Sequence, residues 1–348
     1  MKRFYVLSLI IMTALASCGG GKTSSEIESK DNDSLPSVSE EESVDEKHIQ
    51  VIKDNTFKEG FLFNPANGSN PDTGYFPEDR WMGDVKLLYG GASGDNISWI
   101  GSQHGDIYSL NDKYNKKAGG TPREENGYYI FEDESKKLAA NPSTGSLYFE
   151  LNASNEYERP RQANEQWCHL LLNQGFQTAV RVEDTESIDF TMDIEMKKYE
   201  DHMNGEAQRD LHCVQFLMYL VVKSENSYDS NTFFWFGLPF YDNRYPNGLS
   251  EGIMIDSGGG GATSKAIYHI DSTEMMDEGL SLNKKLNIDF DIRPFLQRGL
   301  IKAQSMGHLT HTSVDELTFQ SMNIGFEITG TYDCGVEISN FSLTANMK

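Results

Sequence analysis

The stretch Ser187-Ile188-Asp189-Phe190-Thr191-Met192-Asp193-Ile194-Glu195-Met196 alternates apolar and polar side chains almost without a break. Successive side chains of an extended chain point to opposite faces, so this run predicts a strand with one buried and one wetted face. Leu286-Asn287-Ile288-Asp289-Phe290-Asp291-Ile292-Arg293 repeats the pattern, and Pro294, which has no N–H for a ladder, closes it. Met322 to Ile328 does the same with Ile324, Phe326 and Ile328 inward. A turn at Gly330-Thr331-Tyr332-Asp333 then leads to a last strand near Val336 to Leu343. Leu211 to Val222 differs, being apolar at nearly every position, and reads as a central strand covered on both faces.

Turn chemistry separates these runs. Asn67-Gly68, Gly90-Gly91, Asn126-Gly127, Asn204-Gly205, Asn247-Gly248 and the glycine stretch Gly258 to Gly261 all supply residues that accept left-handed backbone. Only Phe295 to about Met306 carries an apolar stripe at helical spacing, through Phe295, Leu296, Leu300, Ile301 and Ala303. Many strands, glycine-rich turns and one or two short helices predict an all-β fold, a two-sheet jelly-roll sandwich. Nothing between residues 49 and 348 reads as a linker, so that span is expected to form a single domain.

The start of the chain has a different character. Lys2 and Arg3 precede an apolar stretch from Phe4 to about Ala16, the anatomy of a secretory signal over residues 1–17. It is shorter than the roughly 20 residues a membrane-spanning helix needs. Leu15-Ala16-Ser17-Cys18 resembles the lipobox of bacterial lipoproteins, which implies lipidation at Cys18 and an outer-membrane or cell-surface location reached through that anchor alone. From Cys18 to residue 48 the chain is rich in Ser, Glu and Asp, and residues 19–48 hold nine acids against three bases. Such a segment buries too little apolar surface to offset its entropy and is expected to be a spacer. Its Gly19-Gly20-Gly21 start and acidic, serine-rich body are similar to the tethers of surface lipoproteins in gut Bacteroides-type bacteria.

Composition narrows the partners. The formal charge is −23, and loss of Lys2 and Arg3 with the signal makes it −25. A basic face for nucleic acid or anionic lipid is therefore not expected. With Cys18 as the anchor, Cys168, Cys213 and Cys334 form an odd set without C-x-x-C spacing, two of them in apolar runs. Buried free thiols are expected, a pair among them being the alternative.

The run from Met322 to Leu343, ending Cys334-Gly335-Val336-Glu337-Ile338-Ser339-Asn340-Phe341-Ser342-Leu343, looks like the closing strands of concanavalin A-like and carbohydrate-binding β-sandwiches of Bacteroides-type glycan-use systems. The likeness covers the chain from the strand at Leu286 onward. It implies a poly- or oligosaccharide partner. It carries over no catalytic residue, because Asp193-Ile194-Glu195-Met196 lacks the Glu-x-Asp-x-x-Glu order of the laminarinase-type enzymes with that fold.

Two constellations fit such a partner. Phe233 to Tyr245 places Trp235 on the face opposite Phe234 and Phe236, with Tyr241, Asp242 and Arg244 in the loop beyond. Aromatic faces stack on sugar rings and planar polar groups read hydroxyls, so these four are candidate ligand-binding residues. Core packing with a loop ion pair is the competing reading. Glycoside hydrolysis instead requires two carboxyl groups about 5 to 9 Å apart. Asp193, Glu195, Asp291 and Glu327 lie on the polar faces of predicted strands and are the candidates for that role. The spacing His308-Leu309-Thr310-His311 lacks a third zinc ligand, and Gly258 to Gly261, followed by Ala262-Thr263-Ser264-Lys265, lacks the Gly-Lys-Ser/Thr order of a phosphate loop. No cofactor and no protein-bound metal are expected, apart from a calcium ion between sandwich loops, which the sequence leaves open. The expectation is a surface glycan-binding protein, with a glycoside hydrolase or lyase on the same fold as the alternative.

Overall fold

The computed structural model describes residues 47–66, 80–230, 232–257 and 262–348. The signal segment, Cys18, nearly all of the acidic spacer, the Asn67-Gly68 turn and Gly258 to Gly261 lie outside the described residues. In chain order the strands are β1 (His48–Gln50), β2 (Phe61–Phe63), β3 (Val85–Leu87), β4 (Trp99–Ser102), β5 (Arg123–Glu125), β6 (Tyr128–Glu132), β7 (Lys136–Asn141), β8 (Ser146–Asn152) and β9 (Cys168–Gly175). They continue as β10 (Thr185–Asp201), β11 (Val214–Ser224), β12 (Phe233–Asp242), β13 (Gly252–Ile255), β14 (Ala266–His269), β15 (Lys285–Asp291), β16 (Leu317–Ile328) and β17 (Tyr332–Met347). The helices α1 (Leu110–Tyr114) and α2 (Arg293–Ser305) complete the fold.

These strands form two sheets. The first runs β15-β10-β17-β8-β7-β6-β5, with β1 paired to β17, and the second runs β13-β14-β12-β11-β16-β9-β4-β2-β3. From β8 to β11, and again from β14 to β17, each step of the chain crosses to the opposite sheet. This weaving is the all-β, two-sheet jelly-roll sandwich expected from the alternating runs. The turn at Gly330 to Asp333 is accordingly an arch between sheets rather than a hairpin.

Alternation assigns the core. Ile188, Phe190, Met192 and Ile194 of β10 face Phe216, Met218, Leu220 and Phe326 of the second sheet, and all are buried. Strand β11 is buried on both faces as its apolar run predicted, because a second apolar cluster covers its other side. That cluster comprises Leu217, Tyr219, Val221, Trp235 and Ile267. The predicted helix begins slightly earlier than its stripe, and Pro294 sits in its first turn. There the missing N–H costs nothing and the ring pre-sets the backbone. Cys168, Cys213 and Cys334 are free and buried.

One buried ionic centre ties the end of the sandwich to its loops. The Lys136 ammonium on β7 lies 3.3 Å from Asp106 Oδ2, 3.3 Å from Asp133 Oδ2 and 3.2 Å from Glu156 Oε1, with all four side chains at most 1% exposed. The Asp106 and Asp133 contacts are ion pairs without hydrogen-bond geometry. Burial alone would lower the lysine pKa, but the neighbouring Asp106, Asp133 and Glu156 outweigh it and hold the group charged, while burial pushes the Asp106 carboxyl well above the usual carboxylate range. Asp106, Glu156 and Cys168 offer three donor atoms within 4.8 Å of one another, and Lys136 serves as the cation beside them.

Candidate functional site

The face of the second sheet that turns away from the main core carries polar side chains in rows set by strand register. His169 of β9 pairs with Glu327 of β16, Glu327 with Gln215 of β11, and Gln215 with Asp242 of β12. Further along the strands, Asn173, Asn323, Tyr219, Gly237 and His269 form a second row. Directly opposed side chains on antiparallel strands start about 4.5–5.5 Å apart, so each row is a line of potential contacts. Asp256 follows Met254 by two residues and points to the same side by alternation; its charge acts on both Glu327 and Tyr219.

Glycines make the close approaches. At Gly237 a Cβ would come within 2.6 Å of His269 Cδ2 and 2.7 Å of Tyr219 Cε1. With only hydrogen there, Tyr219 Oη and His269 Nε2 meet at 2.7 Å. Gly325, between the two rows, has φ +147°, and a Cβ would fall 2.0 Å from the Leu170 carbonyl oxygen.

The electrostatics of this face are unusual. Glu327 is 2% exposed, and burial, reinforced by the Asp256 charge, pushes its pKa up to about 8. It is therefore protonated at neutral pH. Burial lowers His169 and His269 to about 4, so both imidazoles are neutral there. Glu327 Oε1, Asn323 Oδ1, His169 Nε2 and Asp256 Oδ1 are all buried without a hydrogen-bond partner among the described residues. Buried polar atoms are ordinarily satisfied, so four such atoms on one face mark a place completed by something outside the chain.

The structure brings some of the sequence-predicted residues together and separates others. Asp242 joins the Glu327 row, accepting from Gln215 Nε2 at 3.0 Å and from Arg244 at 2.9 and 2.6 Å. Trp235 lies on the same face but is 2% exposed. Its Nε1 donates to Thr263 Oγ1 at 3.2 Å, and its ring is enclosed by Phe233 and Tyr219, leaving no open face for a sugar. Tyr241 packs against the main core beside Tyr199. Asp193, Glu195 and Asp291 are on the outward face of the first sheet, on the far side of the sandwich from Glu327. Asp193 holds Asn287 and Lys285, Glu195 holds Lys197, and Asp291 accepts the Ile188 and Arg293 amides. The carboxylate that does act on Glu327 is Asp256.

Sequence reasoning missed Asp256, Gln215, Tyr219, Asn323, His169 and His269. A signal was present: Gln215 near the start of the apolar run of β11, and Asn323 and Glu327 in the Met322 to Ile328 part of β16, are polar residues that share one parity. Asp256 and His269 lie on separate elements, and only the tertiary register places them here.

No family model and no curated protein matches the sequence. Among solved structures, the chain is similar to the endoglucanase cel12A from Rhodothermus marinus at 10% identity, covering 64% of this chain and 93% of that one, with a TM-score of 0.34. It is similar to the xyloglucanase domain of NopAA, a type three effector from Sinorhizobium fredii in complex with cellobiose, at 10% identity over 64% and 94% of the two chains, TM-score 0.33. A family 11 xylanase from Neocallimastix patriciarum shows 10% identity over 66% and 97%, TM-score 0.34. The functional reading rests on the site itself.

Proposed function

We propose that the protein cleaves a poly- or oligosaccharide at the outward face of the second sheet, with Glu327 as the proton donor and Asp256 as the second carboxylate. The observation that carries this reading is Glu327 itself: a buried carboxyl group, kept protonated at neutral pH by burial and a neighbouring charge, with one oxygen unpartnered. A carboxylic acid held neutral at the working pH is the group a glycosidic oxygen needs as its C–O bond breaks. Asp256, with its unpartnered Oδ1, would stabilise the positive charge that develops on the sugar carbon and take the proton of the incoming water. Gln215, Asn323 and the Asp242–Arg244 pair offer the planar groups that orient hydroxyls. Glu327 is sealed from solvent here, so productive binding requires this face to open.

A second reading has one observation of its own. The Tyr219–His269 hydrogen bond couples a phenol to a neutral imidazole on the same face. That pair suits eliminative cleavage, in which a base removes the proton beside a sugar carboxyl group, the C–O bond to the leaving oxygen breaks as a double bond forms, and that oxygen takes up a proton. We place this activity at the cell surface of a Bacteroides-type bacterium, on a lipid anchor at Cys18.

The test is a panel of plant, algal and host polysaccharides assayed for reducing ends and for the ultraviolet absorbance of an unsaturated product. Hydrolysis by the wild type that is lost in Glu327→Gln with melting unchanged at pH 5 supports the main reading. An absorbing product that survives Glu327→Gln and vanishes in Tyr219→Phe moves the assignment to elimination. Tight binding without cleavage makes the protein a receptor.

A further inference from the structure

The turn that leaves β12 carries a half-exposed aromatic ring with two guanidinium groups close to it. Tyr245 is 37% exposed, with the Arg209 guanidinium 4.6 Å and the Arg244 guanidinium 5.7 Å from its ring centroid. Arg244 is anchored, because Asp242 holds it from the Glu327 row, and its charge reaches His269 and Tyr219. Arg209 is not anchored in that way. Of the nine described arginines, seven meet a carboxylate within 4 Å, and Arg161 and Arg209 do not. His212 brings their two loops together, its Nδ1 accepting from the Gln208 amide at 2.9 Å and its Nε2 lying 2.7 Å from the Arg161 carbonyl oxygen. In a chain with 53 acids and 30 lysines and arginines, an exposed arginine stacked on a tyrosine, with no carboxylate on it among the described residues, is set up for an anion supplied from outside.

Resting on the carbohydrate reading, we propose that Tyr245, Arg209 and Arg244 form a subsite for a sugar unit bearing an anionic substituent, a carboxylate or an ester sulfate. The sugar ring lies on the exposed part of Tyr245, and the Arg209 fork takes the anion with two parallel N–H donors. Arg244, already engaged by Asp242, contributes charge beside the ring. The remainder of this acidic molecule repels such a polymer, so the register of a bound chain is decided at this point. The subsite lies just past the Asp242 end of the row that runs to Glu327.

Affinity electrophoresis and calorimetry with polygalacturonate, alginate, chondroitin sulfate, and neutral dextran and xyloglucan test the assignment. The expected result is binding of an anionic polysaccharide that weakens with added salt. Arg209→Gln should lower its affinity about tenfold with unchanged melting temperature, as for loss of a charged hydrogen bond, and Arg209→Lys should recover part of it. The uronate and sulfate polymers separate the two sources of charge. Binding of neutral glycans alone, indifferent to Arg209→Gln, overturns the anionic subsite while leaving the carbohydrate reading standing. Binding of nothing in the panel overturns both.

Discussion

Glu327 links chemistry to stability through one proton. Its pKa in the fold is about 8, above the ordinary value of 4.5. Between those two pH values the unfolded chain has released the proton while the folded one keeps it. Stability therefore falls as pH rises from about 4.5 to about 8, and the full cost is present above that. Replacing Glu327 by Gln removes this loss. The variant's melting temperature should exceed the wild type's by more at pH 8.5 than at pH 5, and a constant offset would mean that Glu327 is not protonated in the fold. Cleavage that depends on the protonated acid should decline as pH rises through about 8. The two histidines oppose the trend on the acid side, since each is neutral in the fold and costs stability as pH falls from 6.5 towards 4. Glu327 was one of four candidate carboxylates in the sequence, but its burial and its raised pKa were not legible there. What distinguishes it is the burial produced by the tertiary packing of the second sheet's outer face.

At the scale of elements, strand periodicity was legible because it depends only on local geometry. The alternation at Ser187 to Met196 gave β10 and its buried face, and the continuous apolar run gave β11 and its double coverage. Which sheet each strand joins is a non-local matter, so the four candidate carboxylates could not be sorted into three on one side of the sandwich and one on the other. The Lys136 centre was equally out of reach, since it gathers β7, the turn at Asp133, the loop at Asp106 and the turn at Glu156. Its removal should be costly. Lys136→Met leaves three carboxylates buried without their cation, and urea unfolding should show a loss of about 3–5 kcal/mol. A loss under about 1 kcal/mol would mean that the carboxyl groups take up protons and need no lysine. The His169 amide donates to Asp106 Oδ1 at 3.1 Å, which joins this centre to the Glu327 row.

For the whole molecule, the sandwich starts at β1, three residues paired to the last strand, directly after the acidic segment. Cys18→Ala should abolish incorporation of labelled fatty acid and release the protein from the membrane fraction; continued acylation would refute the anchor. The three buried thiols have a consequence of another kind. Cys168 lies in the second sheet, Cys334 in the first, and Cys213 at the entry to β11, and none is accessible while the sandwich is intact. A thiol reagent can modify each one only when its own part of the structure opens. The three labelling rates, resolved by peptide mass, are thus a built-in clock of breathing motions. They report, without any engineered probe, whether the sheet bearing Glu327 loosens before its partner does.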